Sequence, residues 1–407
     1  MTTLARLRWR LRETRLADAW VHRAGPGIRA VPRSLRMHAL PQREIPSLPD
    51  TSVWTLLPPE ATTPLPPRRP HRLSPMALRA QHFPASLVAQ LPAVWLVGRH
   101  ATPVTTDGRV LLTPFRDSVA LLGLEQHDDL VRWVTDPTWR AAAIRHANDD
   151  FCEIGSEPLA SFVTRFDSNY FHWLVDTCGQ VEGLRSYTAT TGVEPSVLIR
   201  LGAPEFARES LTLLGIPSSQ VVEWPLGWRP GIVKEPDEPV ARYASPLVVA
   251  SWRGSRYGSS PASIRWLRQA FLVGAGVEPA TTPPQKIYIE RSPTGWRTLI
   301  NADDVRDFLS ERGFECVRAE SLTLADQVRL FAGASAIVGM HGAGLTNVLF
   351  APGASVVEMI GDYGGPEYFS LCRGLGNPFA RLICKSVGED IQVDLRQLED
   401  TLAGLPS

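Results

Sequence analysis

Short aliphatic runs bounded by turn residues recur along the chain from about residue 90 onward, and each predicts a strand. The runs of the first half are at 94–97, 110–115, 162–166, 197–199 and 221–224. Apolar residues at helical spacing lie between several of them, in stretches that begin at Tyr170 and Glu205. This alternation of strand and helix is typical of a parallel sheet covered by helices.

The second half of the chain has the same alternation in a different sequence. Its predicted strands are 286–289, 314–317, 336–339, 355–360 and 381–384, and its predicted helices are 303–312 and 324–332. We therefore predict an α/β fold of two Rossmann-like units in series, with a cleft between the carboxyl ends of their strands. Ligands of open α/β folds bind at such an edge.

The first eighty residues do not follow this pattern. Residues 1–40 hold nine arginines and two acidic residues, with leucines at roughly helical spacing. They predict a solvated basic tail or, alternatively, an amphipathic helix on an anionic membrane surface. Ten prolines lie in 41–75 and favour an extended arm. The predicted domains are this arm (1–80), an N-terminal Rossmann-like domain (81–245) and a C-terminal one (246–407).

Composition excludes several classes of protein. The 407 residues are 44% hydrophobic, which is typical of a folded chain, and the 42 basic and 42 acidic residues cancel, which argues against a nucleic-acid binder. The five cysteines form no Cys-x-x-Cys pair, so no zinc site or disulfide framework is predicted. Neither a membrane-spanning run nor an apolar leader is present. We expect a cytoplasmic protein whose membrane contact, if any, is peripheral and made by the basic tail.

The segment 336–347 runs from a predicted strand into a turn of small residues and then a helix. Gly342 and Gly344 permit close approach of a ligand to the backbone, and the helix start offers unpaired N–H groups to an anion. His341 can donate to a phosphate oxygen or to a leaving group. A tight strand-to-helix turn explains the same glycines, so both interpretations stay open.

Arg291 and Arg297 follow the strand 286–289 in a loop rich in Gly and Pro. Arginine pairs with phosphate oxygens in a bidentate manner, so the two can neutralise a diphosphate without a metal; a solvated loop is the alternative. Glu358 lies at the end of the strand 355–360. An acid at that edge often binds ribose hydroxyls, and otherwise the carboxylate faces water.

His172 and Asp176 are four residues apart and so lie on one face of the helix that begins at Tyr170. Such a pair can act as a base with its orienting carboxylate, or as one base and one substrate contact. Two ligands without a clear third argue against a metal site. A capped, partly buried histidine is the remaining interpretation.

Several segments, in this order, resemble glycosyltransferase family 61, which includes protein O-GlcNAc transferases, plant xylan pentosyltransferases and bacterial capsular polysaccharide proteins. The segments are Asn-Tyr-Phe-His-Trp-Leu at 169–174, Glu-Arg at 290–291 followed by Arg297, Leu-Thr-Leu-Ala-Asp-Gln at 322–327, His-Gly-Ala-Gly-Leu-Thr-Asn at 341–347, and Val-Val-Glu at 356–358. The family's first motif often continues through an acidic residue to Leu-Pro-Arg. Here Asp176-Thr-Cys-Gly-Gln180 follows instead, so the acidic residue is retained and the rest is not.

The resemblance implies an inverting, metal-independent glycosyltransferase of the GT-B type, with no cofactor. Its donor is a nucleotide-sugar, for which we expect UDP, and its acceptor is a glycan, a polysaccharide or a lipid-linked sugar. The residues implied for donor binding are Arg291, Arg297, His341, Gly342, Ala343 and Gly344 on the diphosphate, Asn347 supporting the turn and Glu358 on the ribose. His172 or Asp176 is the implied catalytic base. The donor sugar, the linkage and the oligomeric state stay open.

Two alternatives to a transferase are weighed on the same residues. An oxidoreductase or epimerase is disfavoured, because no Gly-x-Gly-x-x-Gly follows a strand early in either unit and no Tyr-x-x-x-Lys is present. A non-catalytic nucleotide-binding or glycan-binding subunit of a polysaccharide assembly system is the other alternative. It would keep a donor site without transferring a sugar.

Overall fold

The structure is a computed structural model that describes twelve segments of the chain. They are 39–40, 42–62, 78–111, 132–149, 157–164, 166–224, 241–251, 254–255, 258–277, 285–292, 297–362 and 364–405. The basic tail predicted for 1–40 lies outside them except for its last two residues, as does 63–77 of the predicted arm.

Strands and helices alternate through most of the described residues. The strands are β1 (Ala39–Leu40), β2 (Ser52–Leu57), β3 (Glu60–Ala61), β4 (His82–Phe83), β5 (Ser86–Leu91), β6 (Val94–Val97), β7 (Thr102–Thr105), β8 (Val110–Leu111), β9 (Leu159–Ser161), β10 (Ser196–Arg200), β11 (Val221–Trp224), β12 (Ala241–Ala244), β13 (Leu247–Ala250), β14 (Gly254–Ser255), β15 (Gly258–Ser259), β16 (Gln285–Ile289), β17 (Phe314–Val317), β18 (Ala334–Met340), β19 (Ser355–Ile360), β20 (Phe379–Ile383), β21 (Lys385–Val387) and β22 (Asp390–Gln392). The α-helices are α1 (Pro137–Asp149), α2 (Val181–Thr191), α3 (Glu205–Leu213), α4 (Pro261–Gly274), α5 (Ala302–Ser310), α6 (Leu324–Ala332), α7 (Glu367–Leu375) and α8 (Leu395–Ala403).

The chain divides into two compact units that interleave in sequence. Unit 1 comprises the described residues within Met1–Thr51, Leu91–Ser156 and Val233–Leu247, and unit 2 those within Ser52–Gln90, Glu157–Ile232 and Val248–Ser407. Unit 1 contains a five-stranded sheet in the order β1-β8-β7-β6-β12. Its neighbours from β8 to β12 are antiparallel, and β1 and β8 are parallel.

The first sheet of unit 2 is mixed rather than parallel throughout. Its strand order is β11-β10-β9-β13-β5-β2, in which β9, β10 and β11 are parallel and β2 pairs with β5 in antiparallel fashion. The predicted strands at 197–199 and 221–224 are confirmed in this sheet. The expectation that 94–97 and 110–115 would join them is wrong, because β6 and β8 belong to the sheet of unit 1.

Two further expectations for this part of the chain are wrong. The predicted arm contains β2, a proline-free run that lies between Pro49 and Pro58 and forms one edge of the sheet. The strand predicted at 162–166 is instead Leu159–Ser161, and 162–164 follow it without regular structure. The number of prolines favoured an extended arm, but it carries no information on a short run that can form a strand between two prolines.

The second sheet of unit 2 is fully parallel, with the order β17-β16-β18-β19-β20. The predictions of 314–317, 324–332 and 355–360 match β17, α6 and β19 residue for residue. The chain proceeds from β16 outward to β17 on one side and then to β18 on the other. The carboxyl ends of β16 and β18 therefore meet at a topological switch point, where open α/β sheets bind ligands.

The two sheets of unit 2 share one hydrophobic cluster. Trp173 and Phe271 are buried in it together with Phe350, which follows β18, and the rings of Phe271 and Phe350 meet edge to face at 5.3 Å. A second cluster covers the other face of the parallel sheet through Tyr288 and Val338. The donor and acceptor domains predicted at 246–407 and 81–245 stay a prediction, because the shared cluster says nothing about which substrate each part binds.

Cys178, Cys316, Cys372 and Cys384 are free thiols. Within the described segments, no helix combines the length and the apolar character needed to cross a membrane.

Candidate functional site

The turn after β18 begins the candidate site. His341 and Gly342 follow the strand directly, and a 3₁₀-helix occupies Ala343–Phe350 where a short helix was predicted. A Cβ added at Gly342 would lie 2.9 Å from Nη1 of Arg291, and one added at Gly344 would lie 3.0 Å from Cγ2 of Ile289. The glycines therefore allow Arg291 and the end of β16 to approach the turn closely.

His341 is held by a buried carboxylate. Its Nδ1 lies 2.6 Å from Oε1 of Glu358 on the neighbouring strand β19. The other oxygen, Oε2, accepts from Nε of Arg381 at 2.6 Å, and Arg381 also donates to the carbonyl of Gly365 at 2.7 Å. The backbone at Gly364 approaches the same imidazole, because a Cβ there would lie 2.9 Å from Nε2 of His341.

The interpretation of Glu358 as a strand-end carboxylate that faces water is wrong, because its side chain is fully buried. The other interpretation, a contact of Glu358 to ribose, stays a prediction. Each of its two oxygens already accepts a hydrogen bond, one from His341 and one from Arg381. In this structure the carboxylate accepts hydrogen bonds from side chains of the protein itself.

His172 and Asp176 are brought together as their spacing predicted. Nδ1 of His172 lies 2.6 Å from Oδ2 of Asp176, whose side chain is 8% exposed while that of His172 is 30% exposed. A carboxylate accepts only from a protonated nitrogen, so the pair fixes the tautomer with the proton on Nδ1 and the lone pair on Nε2. The ring of Phe166 stacks on the imidazole, 4.6 Å between centroids and tilted by 29°.

The backbone that carries this pair is not the single α-helix predicted from Tyr170. Tyr170 and Phe171 are α-helical, His172–Thr177 form a π-helix, Cys178–Gln180 form a 3₁₀-helix, and helix α2 begins at Val181. Single turns of π-helix are rare and occur frequently at functional sites. The apolar spacing of the sequence indicates a helix but does not show where the backbone hydrogen bonding changes, so the irregularity was not predicted.

Aromatic rings link the two histidines. Phe171 meets the ring of His172 at 5.4 Å and that of Tyr368 at 5.6 Å. Tyr368 in turn meets the ring of His341 at 5.3 Å. Burial raises the pKa of the Tyr368 hydroxyl well above its ordinary value, and the charge of Arg297 partly opposes that rise. Arg297 therefore belongs to the same neighbourhood as His341.

Asn347 lies behind the turn and supports it, donating from Nδ2 to the carbonyl of Gly344 at 3.2 Å. The structure adds two residues here that were not among the predicted site residues. Oε1 of Gln327 accepts from Nδ2 of Asn347 at 2.9 Å, and the hydroxyl of Tyr170 lies within hydrogen-bond distance of both amide groups. Both residues stand inside the segments that carry the family resemblance, and that was the available signal for them.

A buried ion pair orders the loop that carries Phe166. Nε of Arg200, at the end of β10, donates to Oδ2 of Asp167 at 2.8 Å, and the backbone N–H of Thr164 donates to the same oxygen at 3.2 Å. Arg200 also donates to the Thr164 carbonyl at 2.8 Å. Burial raises the pKa of Asp167, and the charge of Arg200 opposes that rise. Sequence reasoning missed this pair, because its members are 33 residues apart.

No group of three or more His, Cys, Asp or Glu residues that could hold a metal ion occurs among the residues that the structure describes. The chemical groups assembled in the site are instead two histidine–carboxylate pairs, two arginines and the glycine turn. Such a set can bind a phosphate-bearing ligand and move a proton.

Sequence comparisons give a family model and a curated relative. The model of glycosyltransferase 61 matches residues 170–357. Alpha-1,3-arabinosyltransferase XAT3 of Oryza sativa subsp. japonica is 30% identical over 144 residues, which cover 33% of this chain and 24% of the relative. The chain thus matches about a quarter of the length of that curated relative.

Two solved structures align at low similarity. The dodecameric iron-containing heptosyltransferase TibC in complex with ADP-D-beta-D-heptose is 14% identical, with a TM-score of 0.28, over 57% of this chain and 63% of that one. The E. coli heptosyltransferase WaaC with ADP is 9% identical, with a TM-score of 0.27, over 61% of this chain and 97% of that one.

Proposed function

Because residues 170–357 match the model of glycosyltransferase family 61, we propose that this protein transfers a sugar from a nucleotide-sugar to a glycan acceptor with inversion at the anomeric carbon. The observation that carries the proposal is the position of the His172–Asp176 pair. It is joined through two aromatic rings to the histidine of the glycine turn at the switch point of the parallel sheet.

The donor diphosphate binds at the turn Gly342–Gly344 in this proposal. Arg291 lies against Gly342, and Arg297 lies close enough to affect Tyr368 beside the turn. Guanidinium groups and the first N–H groups of a helix both favour phosphate oxygens. They balance the charge of the leaving diphosphate without a divalent ion, and we propose UDP as the nucleotide.

His172 is the base of the proposed reaction. Nε2 takes the proton of the acceptor hydroxyl, and the acceptor oxygen forms a bond to the anomeric carbon from the face opposite the diphosphate. The bond between that carbon and the diphosphate oxygen breaks, and its electron pair stays on the diphosphate. Asp176 does not take a proton; it holds the ring and stabilises the imidazolium that forms.

His341 contacts the leaving diphosphate in this mechanism, and Glu358 positions it. The carboxylate accepts from Nδ1 and is itself held by Arg381, so the imidazole is fixed in orientation beside Gly342. A positioning role agrees better with a fully buried carboxylate, both of whose oxygens are occupied, than a contact to ribose does.

The test is a panel of UDP-, GDP-, CMP- and dTDP-sugars, with NAD as a control and a chelator present. Thermal stabilisation and hydrolysis with one nucleotide class would support the proposal and identify the donor. Stabilisation without hydrolysis or transfer would favour the non-catalytic binding subunit. Absence of any effect with every nucleotide-sugar would overturn the proposed donor site.

A further inference from the structure

Three polar side chains, the partly buried Tyr170 and the buried Gln327 and Asn347, connect the segment of the proposed base to the segment of the turn. The hydroxyl of Tyr170 lies 3.0 Å from Oε1 of Gln327 and 2.9 Å from Oδ1 of Asn347. Nδ2 of Asn347 donates to Oε1 of Gln327 at 2.9 Å, and Nε2 of Gln327 donates to the carbonyl of Leu322 at 3.1 Å. The three side chains form a closed triangle.

The chemistry of the triangle makes it sensitive to position. Tyr170 has one proton to donate, and both atoms within its reach are amide oxygens. Burial raises the pKa of its hydroxyl well above the ordinary value, so the proton stays on the phenol. Asn347 is fully buried and Gln327 is 6% exposed. A buried polar group that loses its hydrogen-bond partner costs free energy, so a displacement of one side chain of the triangle also displaces the other two.

Tyr170 and Asn347 each lie within a few residues of a group that the proposed reaction uses. Tyr170 is two residues before His172, whose backbone N–H donates to Oδ1 of Asn169 at 3.2 Å. Asn347 is three residues after Gly344, to whose carbonyl it donates. The backbone near His172 and the backbone of the turn are thus each held by a short-range hydrogen bond in addition to the triangle.

We propose that Tyr170 is a positioning residue that sets the place of His172 relative to the turn Gly342–Gly344, acting through Gln327 and Asn347. The inference rests on the proposed function for its kinetic consequence. The geometric link itself is a property of the fold and can be measured without any substrate.

A matched control is available in the same compact unit. The hydroxyl of Tyr187 on helix α2 donates to Oε1 of Gln90 on strand β5 at 2.7 Å, which is also a bond from a tyrosine to a glutamine. Tyr170→Phe and Tyr187→Phe each remove one phenol–amide hydrogen bond and keep the ring. Tyr170→Phe also keeps the edge-to-face contact of that ring with Phe206, at 5.1 Å.

The kinetic experiment compares these two variants with the wild type on the donor found in the nucleotide-sugar panel. Tyr170→Phe should lower kcat by about 10- to 100-fold, as expected for a misplaced base, with the donor KM within about twofold of wild type. Tyr187→Phe should change neither. Wild-type kcat in folded Tyr170→Phe would overturn the proposal, as would an equal loss in both variants.

The second experiment needs neither donor nor turnover. In protein labelled with ¹⁵N-histidine, the signals of His172 are assigned by their loss in His172→Gln. We expect these signals to shift in Tyr170→Phe and to stay unchanged in Tyr187→Phe. Unchanged His172 signals in both variants would refute the link. If Tyr170→Phe does not fold, Asn347→Asp tests the link from its other end, because it replaces the Nδ2 donor by oxygen.

The two proposals fail in distinguishable ways. Shifted His172 signals in a protein that neither transfers nor hydrolyses a sugar would leave the link standing and refute the transferase. Transfer at the wild-type rate by Tyr170→Phe, with unshifted signals, would refute the link and leave the transferase standing.

Discussion

Phe171 and Tyr368 meet edge to face, with ring centroids 5.6 Å apart and planes at 81°. Each ring also contacts one of the two histidines that are paired with a carboxylate. The aromatic contact thus joins the proposed base, whose side chain is 30% exposed, to the more deeply buried imidazole beside the proposed phosphate site.

The first prediction concerns Asp176→Asn. We expect kcat to fall by about 10²- to 10⁴-fold, because the variant no longer fixes the tautomer of His172 or stabilises its imidazolium. Affinity for the nucleotide should stay unchanged, since the turn is not altered. Initial rates and calorimetric titration with nucleotide measure the two quantities. Asp303→Asn, a change in a surface ion pair with Arg306, is the control, and an active Asp176→Asn enzyme would exclude the assigned role.

The second prediction concerns Gly342→Ala. The added Cβ would lie 2.9 Å from Nη1 of Arg291, and the flexible guanidinium moves more easily than the backbone. We expect an intact fold and nucleotide binding weakened by about tenfold, the value of one charge-assisted hydrogen bond of about 1.5 kcal/mol. Isothermal titration with UDP, or with the nucleotide that the panel identifies, measures the loss.

A double-mutant cycle sharpens this prediction. If Gly342→Ala acts by displacing Arg291, it should add little to the effect of Arg291→Ala, because the two changes remove one interaction. Additive losses of affinity would show that the glycine acts independently of the arginine. Gly404→Ala, where the new Cβ meets only ordinary contacts of 3.5 Å or more, is the control for a methyl group alone.

The third prediction concerns Glu358→Gln. The Arg381 guanidinium would then be buried without its counter-charge, since both side chains are at most 4% exposed. Removing one partner of a buried ion pair lowers the free energy of unfolding by about 3–5 kcal/mol. Urea unfolding measures this loss, and Glu358→Gln combined with Arg381→Met should recover part of it. A single variant as stable as wild type would show that the pair contributes little.

The fourth prediction concerns pH. Burial raises the pKa of Asp167 in the folded protein above its unfolded value, so the native state binds the proton more tightly. Stability contributed by this group therefore increases as pH falls from neutral through that raised pKa. Compared with Asp167→Asn, the wild type should gain unfolding free energy between pH 7 and pH 4, as measured by urea unfolding. A constant difference between the two proteins would contradict the expected sign.

The parallel sheet was the part of the fold that the sequence predicted best. Strands β17 and β19 and helix α6 match their predictions residue for residue, because turn residues such as Gly313, Gly333 and Gly353 lie at their ends. Strand β19 is also buried at all six positions, as a strand inside a parallel sheet is. His341 and Arg291 were placed correctly at strand ends for the same reason. Strand β2 was missed, since its six residues stand between prolines and pair with a strand about thirty residues away.

The side-chain partners of the site were less predictable. The spacing of His172 and Asp176 reports a local contact, but Tyr170 and Asn347 are separated by 177 residues. No pattern within one segment reveals such a contact. The burial of Glu358 could not be predicted for the same reason. A carboxylate at a strand end is expected at the surface, and its buried partners His341 and Arg381 are known only from the structure.

The interleaving of the two units has a consequence for synthesis on the ribosome. Unit 1 draws on segments as far as Leu247, and unit 2 draws on segments from Ser52 onward. Unit 2 cannot complete its first sheet until β13 has been made, so β5 lacks its neighbour on one side while β2 already pairs with it on the other. Exposed strand edges promote aggregation, and a translation pause before residue 247 therefore leaves this edge of β5 uncovered.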